Sequence, residues 1–132
     1  MTKAEVLRRR VRERLAEQRT VVADLLRLRE QVTGSVFARY GECGKQNCAC
    51  REGKKHGPYY VLSTRSAGKG GFAYLDAARA EQAKTLVSRS QEFRAGLKKL
   101  RKLNLELVTL LRRYQAAMSK QGGRKIGVSL HA

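Results

Sequence analysis

Three cysteines and a histidine fall close together as Cys43-x4-Cys48-x-Cys50-x5-His56, and these are all the cysteines of the chain. Three thiolates and one imidazole complete a tetrahedral shell for Zn²⁺. The spacing therefore predicts a structural metal knuckle held by Cys43, Cys48, Cys50 and His56. An extended chain places Cys48 and Cys50 on one face, but zinc–sulfur bonds of about 2.3 Å require closer convergence. The segment is expected to bend, with Gly44, Asn47 and Gly53 as turn formers. Lys45, Arg51, Lys54 and Lys55 surround it, and their charge favours thiolate over thiol.

Other chemistries fit these residues less well. An odd number of cysteines argues against a disulfide framework. His56 is a conceivable activator of a nucleophilic thiol, but that role leaves two cysteines unexplained. A catalytic zinc keeps one position open, whereas four protein ligands close the shell. His56-Gly57-Pro58 does not fit the His-x-Glu signature of zinc deaminases. No cluster of paired carboxylates is visible, so the chain reads as non-enzymatic, with redox thiols as the competing account of the cysteines.

The charge balance points to a partner. The 132 residues include 29 Lys and Arg against 11 Asp and Glu, a formal net charge of +18. Such an excess suits a polyanion, most often nucleic acid, and DNA is expected ahead of RNA. A basic surface with no specific partner and an anionic membrane surface are the alternatives. No stretch approaches the roughly 20 apolar residues of a membrane span, and charges recur through the first thirty positions where a signal peptide would be apolar. The expected compartment is the cytoplasm, whose reducing conditions keep thiols available for metal.

The elements that must position the knuckle follow from local pattern. Thr2-Lys-Ala-Glu5 has the form of a capping box. From there to about Val32, Leu7, Val11, Leu15, Val22, Leu25, Leu28 and Val32 recur at helical spacing, with Gly34 as the stop. Arg8, Arg9, Arg10, Arg12 and Arg14 crowd the end of this helix where its dipole disfavours cations. An external phosphate explains that placement; so does a solvated face screened by Glu5, Glu13 and Glu17. Val36-Phe-Ala-Arg-Tyr40 is β-prone, and Tyr59 to Thr64 and Phe72 to Leu75 read as two strands of a hairpin. Between them, Ser66 to Gly71 is a turn carrying Arg65 and Lys69 at its base. It is not a P-loop, because Lys69 is followed by glycine and another strand. Tyr40, Tyr59, Tyr60, Phe72 and Tyr74 concentrate rings on this sheet. Alternation sends Tyr59 and Tyr60 to opposite faces, so one packs inward and the other is open to a base, and Tyr60 is taken as the candidate.

Asp76 is placed to cap a second helix running to Met118. Phe93, Leu100, Leu107 and Tyr114 form one heptad column, and Leu103, Leu110 and Ala117 the other. Gly96 lies in the same column, where it weakens the helix or admits a close neighbour. The first helix is expected to fold back antiparallel on this seam. Being shorter, it leaves part of the seam for a homo-oligomer or a partner helix. Lys98, Lys99, Arg101 and Lys102 decorate the outer faces, and residues 119–132 read as a flexible basic tail.

Gly34-Ser35, Arg39-Tyr40, Cys43-Gly44-Lys45, Cys48-x-Cys50 and His56-Gly57-Pro58-Tyr59-Tyr60 together resemble a family of small bacterial and archaeal proteins. Its signature is Cys-Gly-Lys-x-x-Cys-x-Cys with His-Gly-Pro-Tyr. The likeness covers most of the chain after residue 33, and what it implies is the metal-site architecture.

The resulting expectation is an α+β protein. Two long antiparallel, coiled-coil-like helices (1–33 and 76–118) flank a small antiparallel sheet with a zinc knuckle (34–75). Its expected function is zinc-stabilised DNA binding. Arg8, Arg9, Arg10, Arg12, Arg14, Lys45, Lys54, Lys55, Tyr60, Arg65, Lys69, Lys98, Lys99, Arg101 and Lys102 form the candidate nucleic-acid contacts. The alternative is an adaptor that binds a partner helix through the heptad seam.

Overall fold

The computed structural model describes residues 1–42, 44–45, 47–66 and 69–130; of Cys50, Arg51, Ser66 and Lys69 it describes the backbone alone. Cys43, the Cys50 thiol and the Lys69 ammonium, all candidate site groups, therefore lie outside the described set. Two helices and three strands follow one another as α1 (Lys3–Arg27), β1 (Gly34–Gly41), β2 (His56–Ser66), β3 (Lys69–Leu75) and α2 (Ala77–Lys125), with a 3-10 turn at Ala49–Glu52. The chain divides into two units, Met1–Arg27 with Arg94–Ala132, and Leu28–Phe93.

In the first unit α1 runs antiparallel to the later part of α2. Arg8 meets Tyr114, Arg14 meets Glu106, Gln18 meets Asn104 and Leu25 lies against Gly96, so partner numbers fall as the first helix advances. The buried residues explain the pairing. Leu103, Leu107 and Leu110 of α2 are buried, as the heptad columns predict, and they are matched by Ala4, Leu7, Val21 and Leu25 of α1. Gly96 serves as a close-approach position, since a side chain there would overlap Leu25.

The seam of α1 departs from expectation. Leu15 and Val22 are exposed, and the inward positions are Ala4, Leu7, Val11, Arg14, Gln18, Val21 and Leu25. This is a strict three-four alternation, which keeps one stripe on the partner helix. The run Leu7, Val11, Leu15 drifts off it. Two polar residues thus sit mid-seam and are satisfied there. Arg14 Nε donates to Glu106 at 2.8 Å, and Gln18 Nε2 donates to Asn104 Oδ1 at 2.7 Å. Both pairs sit at the solvent-facing margin of the seam, where such contacts contribute little to stability.

Both predicted caps form. Thr2 N–H donates to Glu5 Oε2 at 2.8 Å while Glu5 N–H donates to Thr2 Oγ1 at 3.2 Å, the reciprocal capping box. Asp76 Oδ1 accepts from Arg79 N–H at 2.8 Å. Asp76→Ala is expected to cost about 1 kcal/mol, seen as a lower urea midpoint at unchanged slope.

The helix ends differ from those expected. α1 stops at Arg27 rather than near Val32, and Arg29 takes a left-handed φ of 49°. Residues 30–33 instead bond to α2 within the second unit. Val32 N–H donates to the Leu86 carbonyl at 3.1 Å, Arg89 donates to the Glu30 carbonyl at 3.2 Å, and the Thr33 and Ser90 hydroxyls lie 3.3 Å apart. At the other end α2 continues through Gly122-Gly123 to Lys125, so residues 119–125 are helical and not tail. Gly127 and Val128 N–H groups return to the Arg124 and Gly123 carbonyls at 3.2 and 2.8 Å, satisfying acceptors that a helix end leaves open.

The second unit is built on a three-stranded antiparallel sheet in the order β1-β2-β3. Its hairpin pairing is longer than expected, reaching Ser66↔Lys69, so Lys69, Gly70 and Gly71 belong to a strand rather than a turn. The expectation for Ala67 and Gly68 lies outside the described residues.

Candidate metal centre and nucleic-acid surface

Cys48 immediately precedes the 3-10 turn Ala49–Glu52, which Gly53 ends in a left-handed φ of 101°. The bend demanded by the ligand spacing is thus present in the backbone. His56 opens β2, opposite Gly41, across an irregularity that takes in Gly57-Pro58. Gly57 has a φ of 140°, and an added Cβ would lie 2.8 Å from Tyr40 Cδ1 and 2.9 Å from the Arg39 carbonyl. No other residue fits there without strain.

The consequence is convergence of two of the four candidate donors. Cys48 Sγ and His56 Nε2 lie 2.9 Å apart, and both residues are half-buried. A thiolate sulfur and an imidazole nitrogen facing each other suit a borderline-soft ion such as Zn²⁺. Among the described residues, which leave out Cys43 and the Cys50 thiol, no group of three or more His, Cys, Asp and Glu side chains converges. Cys48 and His56 would hold a bound metal, which would supply a cross-link between the 48–53 turn and the start of β2.

Several candidate cations prove to be engaged within the first unit. Arg8 donates to the Tyr114 hydroxyl from Nε and a terminal nitrogen, at 3.0 and 2.7 Å, and its guanidinium lies 5.4 Å from that ring's centre. Arg14 is held between Glu17 and Glu106, each at 2.8 Å, and Arg9 lies 3.9 Å from Glu13. Intramolecular screening therefore accounts for part of the arginine cluster. Arg10, Arg12, Lys98, Lys99, Arg101 and Lys102 are exposed, with no ion pair among the described residues. Arg10, Arg14, Lys102 and Arg113 line an open groove of about 580 Å³ with Glu13 and Glu106, leaving it net positive.

In the second unit Lys45, Lys54, Lys55 and Arg65 are exposed. Tyr60 is the inward tyrosine. Its half-buried ring lies 5.8 Å from the Lys84 ammonium of α2. That lysine is held above its ordinary pKa by the hydrogen bond and charge of Glu81, so it stays cationic over the ring. Of the pair, Tyr59 is the one that is exposed, which corrects the choice of Tyr60 as the stacking residue.

Strand register sorts the remaining rings. Phe37 pairs with Val61 and Val61 with Tyr74, Arg39 pairs with Tyr59, and Ser63 pairs with Phe72. Directly paired residues share a face and alternate residues repeat it. Phe37, Tyr59, Phe72 and Tyr74 therefore lie on the face opposite Tyr60, and all four are exposed. Arg39, Gly41, Glu42, Tyr59 and Tyr74 line an open cleft of about 520 Å³ there, with no residue of α2 in its walls. Phe37 lies outside the ring cluster expected from the sequence; its parity with Tyr59 across the β1-β2 ladder is the signal that places it.

Together these features define an α+β protein with two helices, a small three-stranded antiparallel sheet and a Cys-His pair where the central strand begins. The chain belongs to the family described as Domain of unknown function (DUF6788), which matches residues 4–85. The match takes in α1, not only residues after 33, and ends within α2. Comparison with curated proteins finds no match, and comparison with solved structures finds none. No helix among the described residues is long and apolar enough to cross a membrane.

Proposed function

We propose that this protein is a zinc-stabilised, non-enzymatic DNA-binding protein of the cytoplasm. The observation that carries the reading is the net charge of +18 together with Lys98, Lys99, Arg101 and Lys102 on α2, exposed and with no ion pair among the described residues. Packing does not require four cations there, whereas a phosphate backbone provides the opposite charge. Cys43, Cys48, Cys50 and His56 hold the zinc, whose work is structural, and the approach of Cys48 to His56 supports this assignment.

Binding should weaken steeply with salt, each phosphate contact adding about 0.9 to the slope of log affinity against log salt. Replacing Lys98, Lys99, Arg101 and Lys102 by alanine is expected to lower that slope by roughly 3 to 4. Fluorescence anisotropy with a DNA oligonucleotide across a salt series measures it. Affinity that ignores salt, or a slope untouched by the substitutions, overturns the reading.

One further observation favours a second reading, an adaptor or homo-oligomer. The heptad seam itself is filled by α1, but Leu105, Val108 and Leu111 form an exposed apolar row on α2. A partner helix would bind there and not at Leu103 and Leu110.

A further inference from the structure

We infer that the open face of the sheet is a stacking platform for single-stranded DNA. The inference rests on the DNA-binding reading above and adds the form of DNA and the residues that receive its bases. Val61 is only 2% exposed and forms the floor, while its cross-strand neighbours Phe37 and Tyr74 are 42% and 66% exposed. Tyr59, two residues along β2, and Phe72, on β3 opposite Ser63, extend the row; Phe72 is 74% exposed. Four exposed rings on one face of so small a sheet are more than core packing uses, whereas Tyr60, Phe93 and Tyr114 are half-buried elsewhere.

Charge complementarity selects the occupant. Arg39 pairs with Tyr59 at one end of the row, and Arg65, which shares the parity of Tyr59, Val61 and Ser63, stands at the other. Both are exposed. Residues 59 and 65 are separated by roughly 20 Å at about 3.3 Å per residue, so two cations bracket the rings. Glu42 is the carboxylate at the cleft's rim. An apolar peptide would leave both guanidiniums unused. A duplex keeps its base faces stacked and paired and presents only edges in its grooves. A single strand offers what this face can hold, base faces for the rings and phosphates for the arginines.

The test uses the full chain, labelled oligo-dT and a duplex of equal length. Oligo-dT is expected to bind more tightly than duplex. Phe37→Ala and Tyr74→Ala should each weaken oligo-dT by roughly five- to hundredfold, with duplex affinity unchanged. Tyr74→Phe, which keeps a ring, should retain oligo-dT affinity, and this separates stacking from any loss of fold. The chain has no tryptophan and five tyrosines, so oligo-dT should also quench tyrosine emission, and less so in Tyr74→Phe. Duplex binding without preference for oligo-dT, or alanine variants with unchanged oligo-dT affinity, overturns the platform while leaving DNA binding standing. Failure to bind either nucleic acid at low salt overturns both.

Discussion

Leu103→Ala is expected to destabilise the helical unit by about 2–5 kcal/mol, whereas Leu105→Ala, two residues further along the same helix, should change stability by less than about 0.5 kcal/mol. The difference follows from position on α2. Leu103 is 4% exposed and Leu105 71%. Removing three carbons at Leu103 opens a cavity between the two helices, beside the Arg14–Glu106 and Gln18–Asn104 contacts. The surrounding side chains relax only partly into such a space. A single domain has about 5–15 kcal/mol of total stability, so the loss is large enough to shift the urea midpoint visibly. Equal midpoints for the two variants would show that α1 does not cover this seam. The same contrast bears on partner binding. Polar substitutions at Leu103 and Leu110 should unfold the helical unit, whereas substitutions at Leu105, Val108 and Leu111 should leave it folded and test the exposed row alone.

The features legible in the sequence are those set by local chemistry. The Thr2–Glu5 box and the Asp76 cap need only residues three apart, and the α2 seam repeats over enough turns to define its own stripe. The seam of α1 was less legible because two of its inward positions are polar. Arg14 and Gln18 are inward only because Glu106 and Asn104 stand opposite, roughly ninety residues away in the chain, and hydrophobic spacing alone therefore favoured Leu15 and Val22. The helix ends are hidden from local pattern for a similar reason. Residues 30–33 leave the helical path for hydrogen bonds on α2, and Gly122-Gly123 remains helical where the C-terminal turn folds back on it. Alternation showed that Tyr59 and Tyr60 part ways but could not say which faces α2. That depends on the packing of Tyr60 beneath Lys84. The arginine cluster was read from charge alone, and charge does not reveal that Tyr114 and Glu106 already engage two of its members.

Cys48→Ser is the substitution with the greatest expected consequence for the second unit. If zinc is bound, one ion per chain should be found in protein purified without added metal. Chelation should then destabilise the sheet by several kcal/mol, bounded above by the roughly 10–16 kcal/mol seen for structural zinc in small peptides. The sheet would not depend wholly on a bound metal, because β1-β2-β3 pairing extends well beyond His56. The segment most dependent on it would be 48–56, where the 3-10 turn approaches the strand through Cys48 and His56. Amide hydrogen exchange should accordingly show loss of protection first at Gly41, His56 and their neighbours, then along β2. Serine is nearly isosteric with cysteine but is a poor zinc ligand, so the variant should lose metal and behave like chelated wild type. Chelator added to the variant should have no further effect. Unchanged protection in a metal-free Cys48→Ser protein would instead show that the close approach of Cys48 to His56 is a thiol–imidazole hydrogen bond, and that the knuckle stands on its turn and strand pairing alone.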